Sequence, residues 1–197
     1  LFTFFIGMEK LPFYKTIIKS LKKKHKDWLS KPVQAKKILF IEEMLLDSGF
    51  YFGSMPKGLV PFHKYKEHTA TAFEEHLFEA SIYAKSGEVA QLHFTIAPAF
   101  KDHFTEEFDR IQHIIERKTN TKFNISFSFQ SAATDTIAVN NENEAVVLED
   151  GNLFFRPAGH GALLTNLNEL DADLIFIKNI DNVTTSTYEQ HVCSYKK

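Results

Sequence analysis

The sequence predicts an α/β fold: a three-layer, mainly parallel mixed sheet with helices on both faces, preceded by a helical hairpin. Three observations predict it. Apolar residues recur at helical spacing over the first 49 residues, and segments of period two then alternate with segments of period 3.6. A continuous apolar run, LIFIKNI at 174–180, has the length and β-branched content of a buried parallel strand. Strands alternating with helices imply βαβ crossovers. The 197 residues, 44% hydrophobic, supply enough apolar material for one core, so 1–197 is read as a single domain, with the hairpin at 1–49 and the sheet-bearing part at 50–197.

In the hairpin, Leu11, Tyr14, Ile17, Ile18, Leu21 and Trp28 share one helical face, and KSLKKKHKD supplies a solvated one. Pro32 ends that helix. Ile38, Leu39, Ile41, Leu45 and Leu46 mark a second helix, with Gly49 expected as its C-cap. FYFGSMPKGLVPFHKY, rich in Gly and Pro, reads as a structured loop. Thr71 and Glu74 have capping-box spacing at the head of a helix expected to close at Gly87. Val89 to Ala97 alternates as a strand, Phe104, Phe108, Ile111, Ile114 and Ile115 return to helical spacing, and KFNISFSF alternates again. TIAV precedes EAVVLEDGNLFFRP, a hairpin across Asp150-Gly151. A helix in GALLTNLNEL and the run LIFIKNI follow.

Composition excludes several functions. Lys and Arg number 23 against 25 Asp and Glu, so the net charge of −2 creates no field for a nucleic-acid backbone. The single cysteine, Cys193, rules out an internal disulfide and a cysteine zinc site, and a cytoplasmic location is expected. No run of about 18 apolar residues is present to span a bilayer. The nine histidines form no HExxH pattern and are read as surface or packing residues, and no GxSxG segment supports a serine nucleophile. The opening LFTFFIGM is apolar and starts on Leu, so upstream sequence is expected, and the domain is expected to be truncated at both ends.

In an open α/β sheet, ligands sit beyond the carboxyl ends of strands. Three loops qualify. RPAGHG, 156–161, places Gly159 and Gly161 around His160 between a strand and a helix, where the main chain can approach an anion or a nucleobase edge; a Gly-rich turn with a capping His is the alternative. KNIDN puts Asp181 at the end of the apolar run as a candidate Mg²⁺ ligand, or as a loop-capping Asp. MPKGLVPF offers Lys57 to phosphates, although most loop lysines are merely solvated. Asp171 and Asp173 precede the run and are read as loop residues.

Together MPKGLVPFHKY, TAFEEHLFEAS, SFSFQSAATDTIAV and LFFRPAGHGALLTNLNELDADLIFIKNIDNV resemble a bacterial family of unassigned function, itself similar to the uridylyltransferases that make UDP-sugars. The resemblance covers roughly residues 51 to 184. It implies a nucleotidyltransferase-like protein that transfers a uridylyl group from UTP to a sugar 1-phosphate, or a non-catalytic sugar-nucleotide binding module. By resemblance, Gly159 and Gly161 approach the uracil or ribose, His160 reaches phosphate, Asp181 holds Mg²⁺ and Asn182 positions the sugar nucleotide. Gln130 is similar to a glutamine that reads the base edge, and Lys57 to a phosphate-facing lysine. Ala158 stands where the related loop has Gly, and the Gly-rich phosphate loop of such enzymes would lie before Leu1.

Overall fold

The computed structural model describes residues 2–196 and shows a mixed α/β chain with small sheets. Helices α1 (Phe2–Gly7), α2 (Tyr14–Lys24) and α3 (Val33–Leu45) open it. Ile17, Leu21, Trp28, Phe40 and Met44 make their core, with Phe13, Phe50 and Phe52 packed against it. The expected hairpin is therefore present, but its first helix stops at Lys24 and Trp28 begins a separate 3-10 turn. Gly49 does not cap α3, whose cap is Leu46. It lets the chain fold back instead: a Cβ there would lie 2.0 Å from the Glu43 carbonyl oxygen, which accepts the Phe50 N–H.

The buried Glu43 carboxylate joins the two helices, accepting from Ser20 Oγ at 2.7 Å and Lys24 Nζ at 2.6 Å. Burial works against its charge, but the Lys24 and Ser20 hydrogen bonds outweigh burial and hold its pKa below the usual glutamate value. Because the folded pKa is depressed, this contribution to stability is complete above the unfolded value of about 4.3 and is lost as pH falls through the folded one. Acid titration followed by helical circular dichroism should show this loss, and Lys24→Met should shrink it; identical acid profiles would remove Glu43 from the balance.

Strands β1 (Pro61–Lys64) and β2 (Thr69–Thr71) pair antiparallel and lead into α4 (Ala72–Tyr83). The expected N-cap forms, with Thr71 Oγ1 accepting the Glu74 N–H at 3.1 Å. The helix ends at Ala84, before Gly87, which instead turns the chain at φ +61 between β3 (Lys85–Ser86) and β4 (Val89–Thr95). Helix α5 (Lys101–Thr119) then carries the chain to β5 (Lys122–Ser128), which lies parallel to β4 with His93 opposite Ser126 and Thr95 opposite Ser128. This βαβ unit is the parallel element of the fold.

Alternation divides that parallel pair into two faces. Ala90, Leu92 and Phe94 with Phe123, Ile125 and Phe127 pack on α4 and α5, through Phe73, Leu77, Phe104, Ile111 and Ile115. The opposite face carries Gln91, His93, Thr95, Asn124, Ser126 and Ser128, where His93 bridges Ser126 Oγ and Ser128 Oγ at 2.8 Å each.

Three expectations about the sheet also need correction. The sheets of the described residues are two-, three- and two-stranded, and the antiparallel pairings outnumber the parallel one, so a three-layer, mainly parallel sheet is not what they form. Helices α4 and α5 share one apolar cluster with one face of the β4–β5 pair, and so do not flank it on both sides. LIFIKNI is no buried strand: it has no ladder partner, and Leu174 and Ile177 are each 73% exposed. It runs along α4, turning Phe176, Lys178 and Ile180 inward and the residues between them to solvent. The pleat survives without the sheet.

The expected hairpin forms around Asp150-Gly151, with Val147 bridged to Leu153 and β6 (Thr136–Ile137) paired to β7 (Phe155–Arg156). A 3-10 turn at His160–Leu163 runs into α6 (Leu164–Asn168), and α7 (Glu189–Ser194) follows.

Candidate functional site

Two loops 124 residues apart meet. Lys57 opens a 3-10 turn, Lys57–Leu59, placed by Pro56 in front of it. Gly58 lies flush against the core: a Cβ there would meet the Phe104 ring at 2.9 Å and the Ile180 side chain at 3.1 Å. Only a glycine lets the turn come so close to Ile180. The neighbours of these two contacting residues then form an ion pair, Lys57 Nζ to Asp181 Oδ2 at 2.8 Å.

The pair faces water, with the Lys57 side chain 71% and that of Asp181 39% exposed. The Lys57 hydrogen bond is the main cause that holds the Asp181 carboxyl below its ordinary pKa. His160 is exposed at the start of its 3-10 turn and lies within electrostatic reach of Asp181, which Lys57 contacts directly.

The remaining expected residues behave differently. Gln130 follows β5 and donates Nε2–H to Asp135 Oδ1 at 3.3 Å, which closes its own loop. Asn182 is exposed, and its main-chain N–H donates to the Asn179 carbonyl. Gly159 and Gly161 have open space where a Cβ would stand and no left-handed backbone, so nothing within the chain itself requires glycine at either position.

Periodicity missed the residues that hold these loops in place. Asn166, buried on α6, donates to Ser128 Oγ at 3.0 Å and to the Phe129 carbonyl at 2.8 Å, tying the turn that carries His160 to the carboxyl end of β5. His76, buried on α4, meets the Ile180 carbonyl at 3.0 Å; a carbonyl only accepts, so Nε2 carries the proton. Burial lowers the His76 pKa and so favours the neutral imidazole. Glu79 pairs with Lys178, and Glu75 accepts from His63 Nδ1 at 2.8 Å and Tyr65 OH at 2.7 Å. Burial and Glu75 push the Tyr65 phenol up to about 12, and its oxygen accepts the Ser186 N–H. The only sequence signal for this set is its density in TAFEEHLFEAS, where four ionisable residues interrupt a helix that is otherwise apolar.

Among the described residues no group of three or more His, Cys, Asp or Glu could hold a metal by itself, and no helix is long and apolar enough to cross a membrane. No curated protein and no solved structure matches the chain. One family does match, over residues 1–197, and the chain belongs to it: the domain of unknown function DUF4301.

Proposed function

We propose that the surface formed by Lys57, His160 and Asp181 binds the phosphates of a uridine nucleotide, and that the protein transfers a uridylyl group from UTP to a sugar 1-phosphate. One observation carries this reading: two loops remote in sequence bring an ammonium and a carboxylate together in water, where such a pair adds little to stability. The reaction comes from the resemblance read in the sequence over residues 51 to 184, which reaches the uridylyltransferases at one remove, through a family of unassigned function. In the transfer a sugar-phosphate oxygen forms a bond to the α-phosphorus, and the bond from that phosphorus to the bridging oxygen of pyrophosphate breaks. Positioning and charge neutralisation are the main demands of such a step. Lys57 turns from Asp181 to the phosphates, and His160 is the second group we assign to them.

A single carboxylate fits Mg²⁺, which takes one or two protein oxygens and fills its shell with phosphate oxygens and water. Asp181 would hold the ion by the carboxylate that Lys57 now neutralises. The ion supplies charge stabilisation at the phosphates. Gln130 and Asn182, beside the strand end and the metal carboxylate, are the groups we assign to base and sugar nucleotide, and Gly159 and Gly161 leave room for the ligand.

The test is a titration of UTP, the other nucleoside triphosphates and UDP-sugars, with and without Mg²⁺. The expected result is a preference for uridine nucleotides, weakened about tenfold to a hundredfold in Lys57→Ala by loss of a charged hydrogen bond, with the Mg²⁺ dependence removed in Asp181→Ala. A folded wild type that binds none of them sinks the reading. Binding without turnover would favour the non-catalytic sugar-nucleotide module.

A further inference from the structure

We propose that His76 is the positioning residue of this site: its hydrogen bond to the Ile180 carbonyl fixes where the next residue, Asp181, presents its carboxylate to Lys57. The assignment of a purpose to that placement rests on the nucleotide-binding reading above; the placement itself does not.

Ile180 is held on two sides. Its side chain lies under Gly58, and its carbonyl takes the Nε2–H of His76. The residue before Gly58 is Lys57 and the residue after Ile180 is Asp181, so both members of the ion pair hang from one clamped point. Segment 174–180 has no ladder partner to fix its register, and three side-chain anchors on α4 fix it instead, with Tyr83 against the Phe176 ring, Glu79 paired with Lys178, and His76 bonded to Ile180. Their spacing along the helix, four and three residues, puts all three on one face. The segment runs antiparallel to α4, so the anchor nearest Asp181 is His76.

The Phe94 ring completes the seat, edge-on to the imidazole at 6.2 Å between centroids. The imidazole therefore has a fixed orientation, and its neutral form is the one that burial favours. A second donor of similar reach, glutamine, can replace the Nε2–H; leucine fills the volume but donates nothing.

Zero-length carbodiimide cross-linking reads the pair directly, because it joins a carboxylate to an ammonium only when they touch. In the wild-type chain, peptide mapping should find Lys57 joined to Asp181. In His76→Leu, with circular dichroism showing an intact fold, the yield should fall about tenfold, the loss expected from one hydrogen bond, and His76→Gln should restore it. An undiminished cross-link in folded His76→Leu overturns the proposal, as does failure of the glutamine variant to restore it. Should the leucine variant not fold, the wild-type ring decides: ¹⁵N NMR showing a slowly exchanging Nε2–H supports the assignment, and an unprotonated Nε2 ends it. A cross-link that follows His76 in a protein that binds no uridine nucleotide would keep the positioning role and discard the functional reading.

Discussion

Phe73→Ala should cost the domain about 3–5 kcal/mol, the range for removing a fully buried aromatic ring from a packed core. Phe73 is completely buried at the start of α4, with its ring 4.9 Å from that of Phe94 and 5.4 Å from that of Phe104. It thus joins three elements at once: α4, β4 and α5. Neighbouring rings of fixed orientation collapse poorly into a vacated space, so a cavity term adds to the lost burial. For a chain of this length the midpoint of thermal unfolding should drop by about 6–20 °C. A drop within about 1 °C would mean that the aromatic cluster repacks freely, contrary to the geometry described.

The second large effect should come from adding one methyl group. In Gly58→Ala the new Cβ would lie 2.9 Å from Phe104 Cε1, 3.0 Å from Cζ and 3.1 Å from Ile180 Cγ1, so something must shift. A buried ring edge is a poor candidate, being itself packed against Phe73 and Phe127. The turn at 57–59 moves instead, at a cost of about 1–3 kcal/mol for overpacking. Because Lys57 rides on that turn, the carbodiimide cross-link to Asp181 should weaken in the same variant. Unchanged stability together with an unchanged cross-link would show that the close approach at Gly58 is dispensable.

Several local signals in the sequence are kept by the structure, although neither Gly49 nor Gly87 closes the helix before it. Thr71 and Glu74 mark a real helix start because a cap is decided within four residues. The alternation in β4 and β5 is read correctly because one face of each must enter the core. The Asp150-Gly151 turn is local as well. LIFIKNI shows the limit of that reasoning. Its composition states that the segment is extended and apolar, but a strand also needs a neighbour with free backbone groups, and no residue within 174–180 encodes that neighbour. The site divides in the same way. Lys57, His160 and Asp181 are named from loop placement and resemblance, whereas His76 and Asn166 bond to partners 104 and 38 residues away, a distance at which periodicity carries no information.

Helix α4 has a consequence for how the chain is made. Its buried face holds Glu79, whose counter-ion Lys178 comes 99 residues later, and His76, whose acceptor Ile180 comes 104 residues later. At about 5–20 residues per second on the ribosome, the helix exists for some seconds before the segment that satisfies it has been synthesised. During that interval the Glu79 carboxylate has the Tyr83 hydroxyl of its own helix but not its cation. Until residues 178 and 180 are made, Glu79 is without its cation and His76 without its acceptor, and the segment that supplies both is the one that carries Asp181 to Lys57.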